Sequence, residues 1–276
     1  MPSRSNNGPA SVGAKQQAQF MQAVALHQQG DLKAAQAICE TLLKANASHV
    51  PSLYLLGVVA YQTGNARVAA DLLGKAISIH PGNAAFYSDR GLALQQLGEL
   101  DAAVASYDKA ISLKPDFAEA HSNRGNALQE IKKFDAAVAS FDQAIRIRPD
   151  YAQAYSNRGC ALKELEQFEA AVASFDEAIR IQPDYADAYS NRGVALNELG
   201  QLEAALASHD KAVSLKPDFA EAHSNRGITL QALAQLDAAL ESFDHAIRLM
   251  PDYAQAHANR GLALRGDVPE LVEQMS

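Results

Sequence analysis

The tripeptide Asn-Arg-Gly stands at residues 123, 157, 191, 225 and 259, one constant interval apart, and Asp89-Arg90-Gly91 keeps the same phase one period upstream. A fixed interval of this length constrains the fold more than any single residue does. A unit so short cannot bury a core alone, so successive units must stack on one another. Pro81, Pro115, Pro149, Pro183, Pro217 and Pro251 march at the same interval in a different phase. The expected molecule is a linear array, which presents a long surface to another chain. Catalysis, by contrast, needs unlike groups converging on one point.

Within the unit Ala118 to Tyr151, the apolar or small residues Ala120, His121, Gly125, Ala127 and Leu128 follow a helical period, and Phe134, Ala137, Val138, Phe141, Ala144 and Ile145 follow another. Each unit therefore reads as a helix hairpin. The turn falls near Lys132-Lys133, where other units place Gly64, Gly98 and Gly200. Pro149 ends the second helix, because its ring removes a donor and obstructs continuation. Asp150 is expected to cap the next helix, with Gln153 completing a capping box. The same pattern recurs at Asp116/Glu119, Asp184/Asp187, Asp218/Glu221 and Asp252/Gln255. Gly125 and Ala137 leave room for two helices to approach, and Phe141 fills the space beside them.

An aromatic or His, Gly four residues later, Ala twelve after that, then an aromatic, Ala and Pro: this order resembles the tetratricopeptide repeat, over nearly the whole chain. The resemblance implies an all-α fold, a right-handed superhelix (α-solenoid) of seven 34-residue hairpins plus a partial C-terminal repeat, with the first helices lining a concave wall. The repeats begin near Gln16, Val50, Ala84, Ala118, Ala152, Ala186 and Ala220, and a lone first helix starts at Ala254. Residues 1–14 are expected to be a flexible tail, 15–265 the array, and 266–276 a C-terminal cap or tail. The first repeat departs from the pattern, with Ala23 in place of Gly, Ala47 in place of Pro and polar Gln22 where Leu56 stands in the second, as a solvent-facing cap requires.

In the family, the concave wall is lined by the second, fifth, sixth, ninth, twelfth and thirteenth positions of each repeat. The sixth carries Asn123, Asn157, Asn191, Asn225 and Asn259, with Asp89 as the upstream rung. Asn is a poor helix former, yet its carboxamide both donates and accepts, so it suits an extended peptide backbone. Helices roughly 10 Å apart and a strand rise of roughly 3.3 Å put one rung at every third ligand residue. This column is similar to the asparagine ladder in the repeats of O-linked N-acetylglucosamine transferases. Two readings stand: a used ladder, or a harmless Asn copied by duplication. Neighbouring columns vary and are the candidates for selectivity, with Asn126, Cys160, Val194 and Ile228 in one and Gln129, Lys163, Asn197 and Gln231 in the other. Ser122, Ser156, Ser190 and Ser224 are read as part of the same wall, and Glu119, Glu130, Glu164, Glu198 and Glu221 as its margins. A clamp for acidic chaperone tails is disfavoured, because its Lys and Arg positions hold Glu or Gln, Ser and Asn.

Arg124, Arg158, Arg192, Arg226 and Arg260 need carboxylate partners, and Asp108, Asp142, Asp176, Asp210 and Asp244 recur once per repeat on the second helix. Both columns are expected to form structural ion pairs between neighbouring repeats, such as Asp108 with Arg124. His121, His223 and His257 occupy equivalent positions in separate repeats and cannot converge on one zinc; they read as core-facing substitutes for aromatics. His209 replaces the Phe of other repeats. No phosphate-cradling loop, zinc-protease or nucleophile-elbow motif is present in the sequence, so an enzyme, a cofactor and a metal are not expected.

Composition bounds the partners. A net charge of −8 disfavours nucleic acid and membrane surfaces and favours a neutral to basic, extended polypeptide. The start, Met1 to Ala10, lacks the apolar stretch of a secretion signal, and only two cysteines, Cys39 and Cys160, are present. A reducing, cytoplasmic setting is the expectation. The leading function is a non-enzymatic scaffold. The alternatives are the substrate-recognition arm of a glycosyltransferase whose catalytic domain lies on a separate chain, since nothing after Leu264 is expected to encode one, and a subunit that self-assembles through its ends. Oligomeric state is left open.

Overall fold

A computed structural model describes residues 9–265, with side chains from residue 13 onward. Every described element is an α-helix. In chain order these are α1 (Pro9–Gln28), α2 (Leu32–Ala45), α3 (Val50–Gln62), α4 (Ala66–Ile79), α5 (Ala84–Gln96), α6 (Leu100–Leu113), α7 (Ala118–Glu130), α8 (Phe134–Ile147), α9 (Ala152–Glu164), α10 (Phe168–Ile181), α11 (Ala186–Glu198), α12 (Leu202–Leu215), α13 (Ala220–Ala232), α14 (Leu236–Leu249) and α15 (Ala254–Leu264). The first helix already begins at Pro9, where the sequence predicts a flexible tail through residue 14. Proline at a helix start supplies the required φ without sacrificing a bonded N–H. The expected C-terminal cap, 266–276, lies outside the described residues.

The chain forms two compact units, divided after Ile131. In the first, α1/α2, α3/α4 and α5/α6 are hairpins; in the second, α9/α10, α11/α12 and α13/α14 are. Within each unit the second helix of one hairpin packs on the first helix of the next. First helices also touch one another (α3 with α5, α11 with α13), whereas second helices do not. Contact on one side only means that each unit curves with its first helices on the inside. That is the α-solenoid arrangement of an all-α repeat fold.

Three local devices recur. The inter-helix turn places one residue in the left-handed region. Gly30, Gly64, Gly98 and Gly200 take it at no steric cost, and Lys132, Glu166 and Ala234 adopt it at φ 58°. The next N–H then bonds back to the carbonyl five residues earlier, as in Asn65 to Ala60 and Gln201 to Leu196, satisfying the helix end. The second device is close approach. A Cβ on Gly159 would lie 2.6 Å from the Phe175 ring, and one on Gly91 would lie 2.5 Å from the Tyr107 ring, so only glycine admits the aromatic of the second helix. In the first repeat both partners change together: Ala23 faces the smaller Cys39, and both are fully buried.

The third device corrects the expectation from sequence. The Asp of each Pro-Asp turn does not cap the helix with its side chain. The N-caps are Phe117, Tyr151, Tyr185, Phe219 and Tyr253, none with a side-chain cap bond. Instead the carbonyls of Asp150, Asp184 and Asp218 accept the N–H two residues on. The aromatic N-cap is covered by the cation three residues before it: Lys114 over Phe117, Arg148 over Tyr151 at 4.6 Å, and Lys216 over Phe219 at 4.5 Å.

Candidate functional site

The inner side of each unit is made by first helices, so their exposed positions are the candidate surface. The six rungs Asp89, Asn123, Asn157, Asn191, Asn225 and Asn259 are all half-buried. Asn157 accepts a hydrogen bond from Gln153 Nε2 at 2.8 Å. Gln153 in turn accepts from the hydroxyl of Tyr185, the N-cap of α11, at 2.7 Å. Asn225 Nδ2 approaches Ser190 Oγ at 3.5 Å, the weak limit of a bond. Asn259 Nδ2 is buried with no partner among the described residues. Asp89 accepts from the Tyr54 hydroxyl at 2.8 Å, and burial raises its pKa above the ordinary carboxylate value, partly offset by that bond.

The flanking columns are less uniform than their sequence suggests. Asn126, Gln129, Cys160, Lys163, Val194, Asn197 and Ile228 are half-buried. Cys160 and Ile228 pack on core clusters, and burial raises the Cys160 thiol pKa, leaving it protonated at neutral pH. Asn197 is tied to the buried Thr229 by a bond in each direction, at 2.8 and 3.1 Å. Gln231 is only 1% exposed, which withdraws it from any ligand. The same holds for Ser122, Ser156, Ser190 and Ser224, assigned to the wall from sequence but buried.

On the other side of the first helices, the Arg and Asp columns meet. Arg124–Asp108, Arg192–Asp176 and Arg226–Asp210 lie at 2.6 Å, Arg158–Asp142 at 2.8 Å and Arg260–Asp244 at 2.5 Å, each joining a helix to the preceding repeat. Sequence reasoning missed a second partner. Ser174, Ser208 and Ser242 accept from Arg158, Arg192 and Arg226 at 3.0, 2.7 and 2.6 Å, while donating to the carbonyl four residues back. Each of these guanidiniums thus bridges two second helices. The signal was there, since this Ser recurs with the period of the array.

The histidines also require correction. His121, His223 and His257 do not face the core. Each bonds through Nε2 to the carbonyl of the preceding turn's proline, at 3.1, 3.0 and 2.9 Å. His209 is fully buried against Gly193 with neither ring nitrogen bonded, and desolvation lowers its pKa to about 4. Among the described residues no group of three or more His, Cys, Asp or Glu could hold a metal, and no helix is long and apolar enough to cross a membrane.

Stacked helix hairpins with a half-buried polar inner wall define a helical repeat protein of the interaction class. Tetratricopeptide repeat models match residues 20–84 and 118–151, and a TPR repeat model matches 93–132, 160–200 and 195–234. The chain belongs to the tetratricopeptide repeat family, whose members generally mediate protein–protein interactions. Among solved structures it is similar to YrrB, described as a TPR protein with an unusual peptide-binding site (28% identity, 70% of this chain, all of that one, TM-score 0.58). It is also similar to MamA (25% identity, 58% and 94% coverage, TM-score 0.56). A tetratricopeptide repeat protein from Parabacteroides merdae shares the fold alone, at 18% identity over 90% of this chain and 98% of its own, with TM-score 0.68. No curated protein gives a significant sequence match. The likeness of the Asn column to glycosyltransferase repeats rests on the column itself, and kinship with such enzymes is not shown.

Proposed function

We propose that this protein is a non-enzymatic scaffold that holds an extended, neutral to basic polypeptide along the inner wall of its repeats. The observation that carries the reading is the row of half-buried carboxamides at one position of α9, α11, α13 and α15. Asn191 makes no side-chain hydrogen bond among the described residues, and Asn259 keeps a donor unpaired. The buried, unpaired donor of Asn259 costs free energy that a ligand backbone returns, and the unbonded carboxamide of Asn191 is open to the same partner. The exposed carboxylates Glu164, Asp187, Glu198 and Glu221 on the same helices favour a ligand without negative charge.

The test is capture of partners from native cell extract by the wild type and by an Asn157→Ala/Asn191→Ala/Asn225→Ala variant. Alanine is the better helix former, so the variant is expected to fold. At roughly 0.5–1.5 kcal/mol per lost bond, captured partners should bind at least tenfold more weakly. An unchanged partner set with unchanged affinity removes the ladder from the mechanism.

A further inference from the structure

One rung of the ladder differs in kind. Asp89 replaces the carboxamide with a carboxylate, and around it the inner wall opens into a cavity of about 350 Å³ lined by Tyr54, Val58, Tyr61, Leu73, Asp89 and Leu92. Every part lies between α3 and α5 of the first unit, with Leu73 of α4 at its base. Apart from Gln62 at the rim, the walls are aliphatic and aromatic, and Asp89 brings the formal charge. The Tyr54 hydroxyl donates to Asp89 Oδ2 at 2.8 Å, and the Tyr54 ring leans on Phe86 with centroids 4.8 Å apart, which holds both groups in place.

No lysine or arginine pairs with Asp89 among the described residues, whereas Asp108, Asp142, Asp176, Asp210 and Asp244 each have an arginine. A carboxylate left half-buried without a cation is unfavourable, and its raised pKa registers that cost. What relieves it is a positive charge brought from outside. The Tyr54 and Tyr61 rings line the cavity beside Asp89 and Val58 and Leu92 suit an alkyl stem, a lining that matches lysine and arginine, which carry an apolar stem and a charged tip.

The geometry points to a specificity pocket on the inner wall of the first unit, in which Asp89, Tyr54 and Tyr61 receive one basic side chain, lysine or arginine, of a bound polypeptide. This rests on the reading of the inner wall as a peptide site and names what that site selects. The pocket lies in the first unit, whereas Asn157, Asn191 and Asn225 lie in the second, so the two assignments fail separately.

The probe is N-acetyl-arginine methylamide, with the lysine analogue and the neutral citrulline analogue beside it. Each is titrated into the full chain while the ring signals of Tyr54 and Tyr61 are followed by NMR. Expected are saturable shifts at both rings, with the cationic probes binding roughly fivefold or more tightly than citrulline, the scale of a cation–π contact plus a partly buried ion pair. Asp89→Asn installs the residue that other repeats carry at this position and keeps an acceptor for Tyr54, so it folds and should erase that preference. Equal affinity for arginine and citrulline, a preference that survives Asp89→Asn, or no saturable shift at either ring would overturn the pocket while leaving the asparagine row of the second unit to its own test.

Discussion

His209 shows how one residue can run against its surroundings. It fills the position that Phe175 and Phe243 occupy in their repeats, buried to the same degree, but both its ring nitrogens lack partners. Leaving such groups unbonded costs roughly 1–3 kcal/mol, so His209→Phe should raise the free energy of unfolding by about that amount in denaturant titration. The pH dependence has a definite sign. The folded pKa is about 4 and the ordinary value 6.5, so the unfolded chain binds the extra proton first. The neutral ring's contribution is whole above pH 6.5 and is lost as pH falls toward 4. The wild type should therefore lose stability across that window more steeply than His209→Phe, by an amount on the order of 2–3 kcal/mol. Parallel pH profiles of the two would dismiss the assignment.

Helices in this protein are matched by columns at a fixed offset, and two exceptions make the matching testable. Arg90 Nε is buried without a partner because the position that holds aspartate in later repeats is Gly74, where an added Cβ would stand 3.8 Å from that Nε. Gly74→Asp should complete the missing pair and remove a mid-helix glycine, adding roughly 1 kcal/mol and raising Tm by about 2–4 °C. A lower Tm would mean that Arg90 is satisfied in some other way. The second exception is Ala23 facing Cys39. Gly159→Ala should cost about 1–3 kcal/mol through collision with Phe175. Adding Phe175→Cys, the combination the first repeat already uses, should make the double variant more stable than the sum of the single effects by about 1 kcal/mol. Strict additivity would show that the two positions do not share their space. The constant phase made these columns legible, because residues one period apart must play equivalent roles. Which columns touch was harder to read, and the serines that bridge to arginine were missed because a lone Ser in a helix usually bonds its own backbone, which these also do.

For the whole molecule, a net charge of −8 with exposed carboxylates along the first helices makes the proposed preference for a neutral to basic polypeptide testable through salt. Such charges are screened beyond about 8 Å at physiological ionic strength. Binding of a captured basic partner should weaken about tenfold or more between roughly 0.05 and 0.5 M salt, most of it in the association rate, as read by surface-immobilised kinetics. A salt-independent association rate would place recognition in uncharged contacts. The sequence alone determined the helical class, the hairpin unit, the turn positions and the family, because a repeat of fixed length forces the same local physics on every copy. Only the tertiary structure decided depth: that the Ser122 column and Gln231 are buried, that histidines clasp the turns, that Asp side chains leave the helix starts uncapped, and that Asp89 sits in an aromatic cavity. Burial depends on the neighbouring repeat's side chains, and those vary where the period does not.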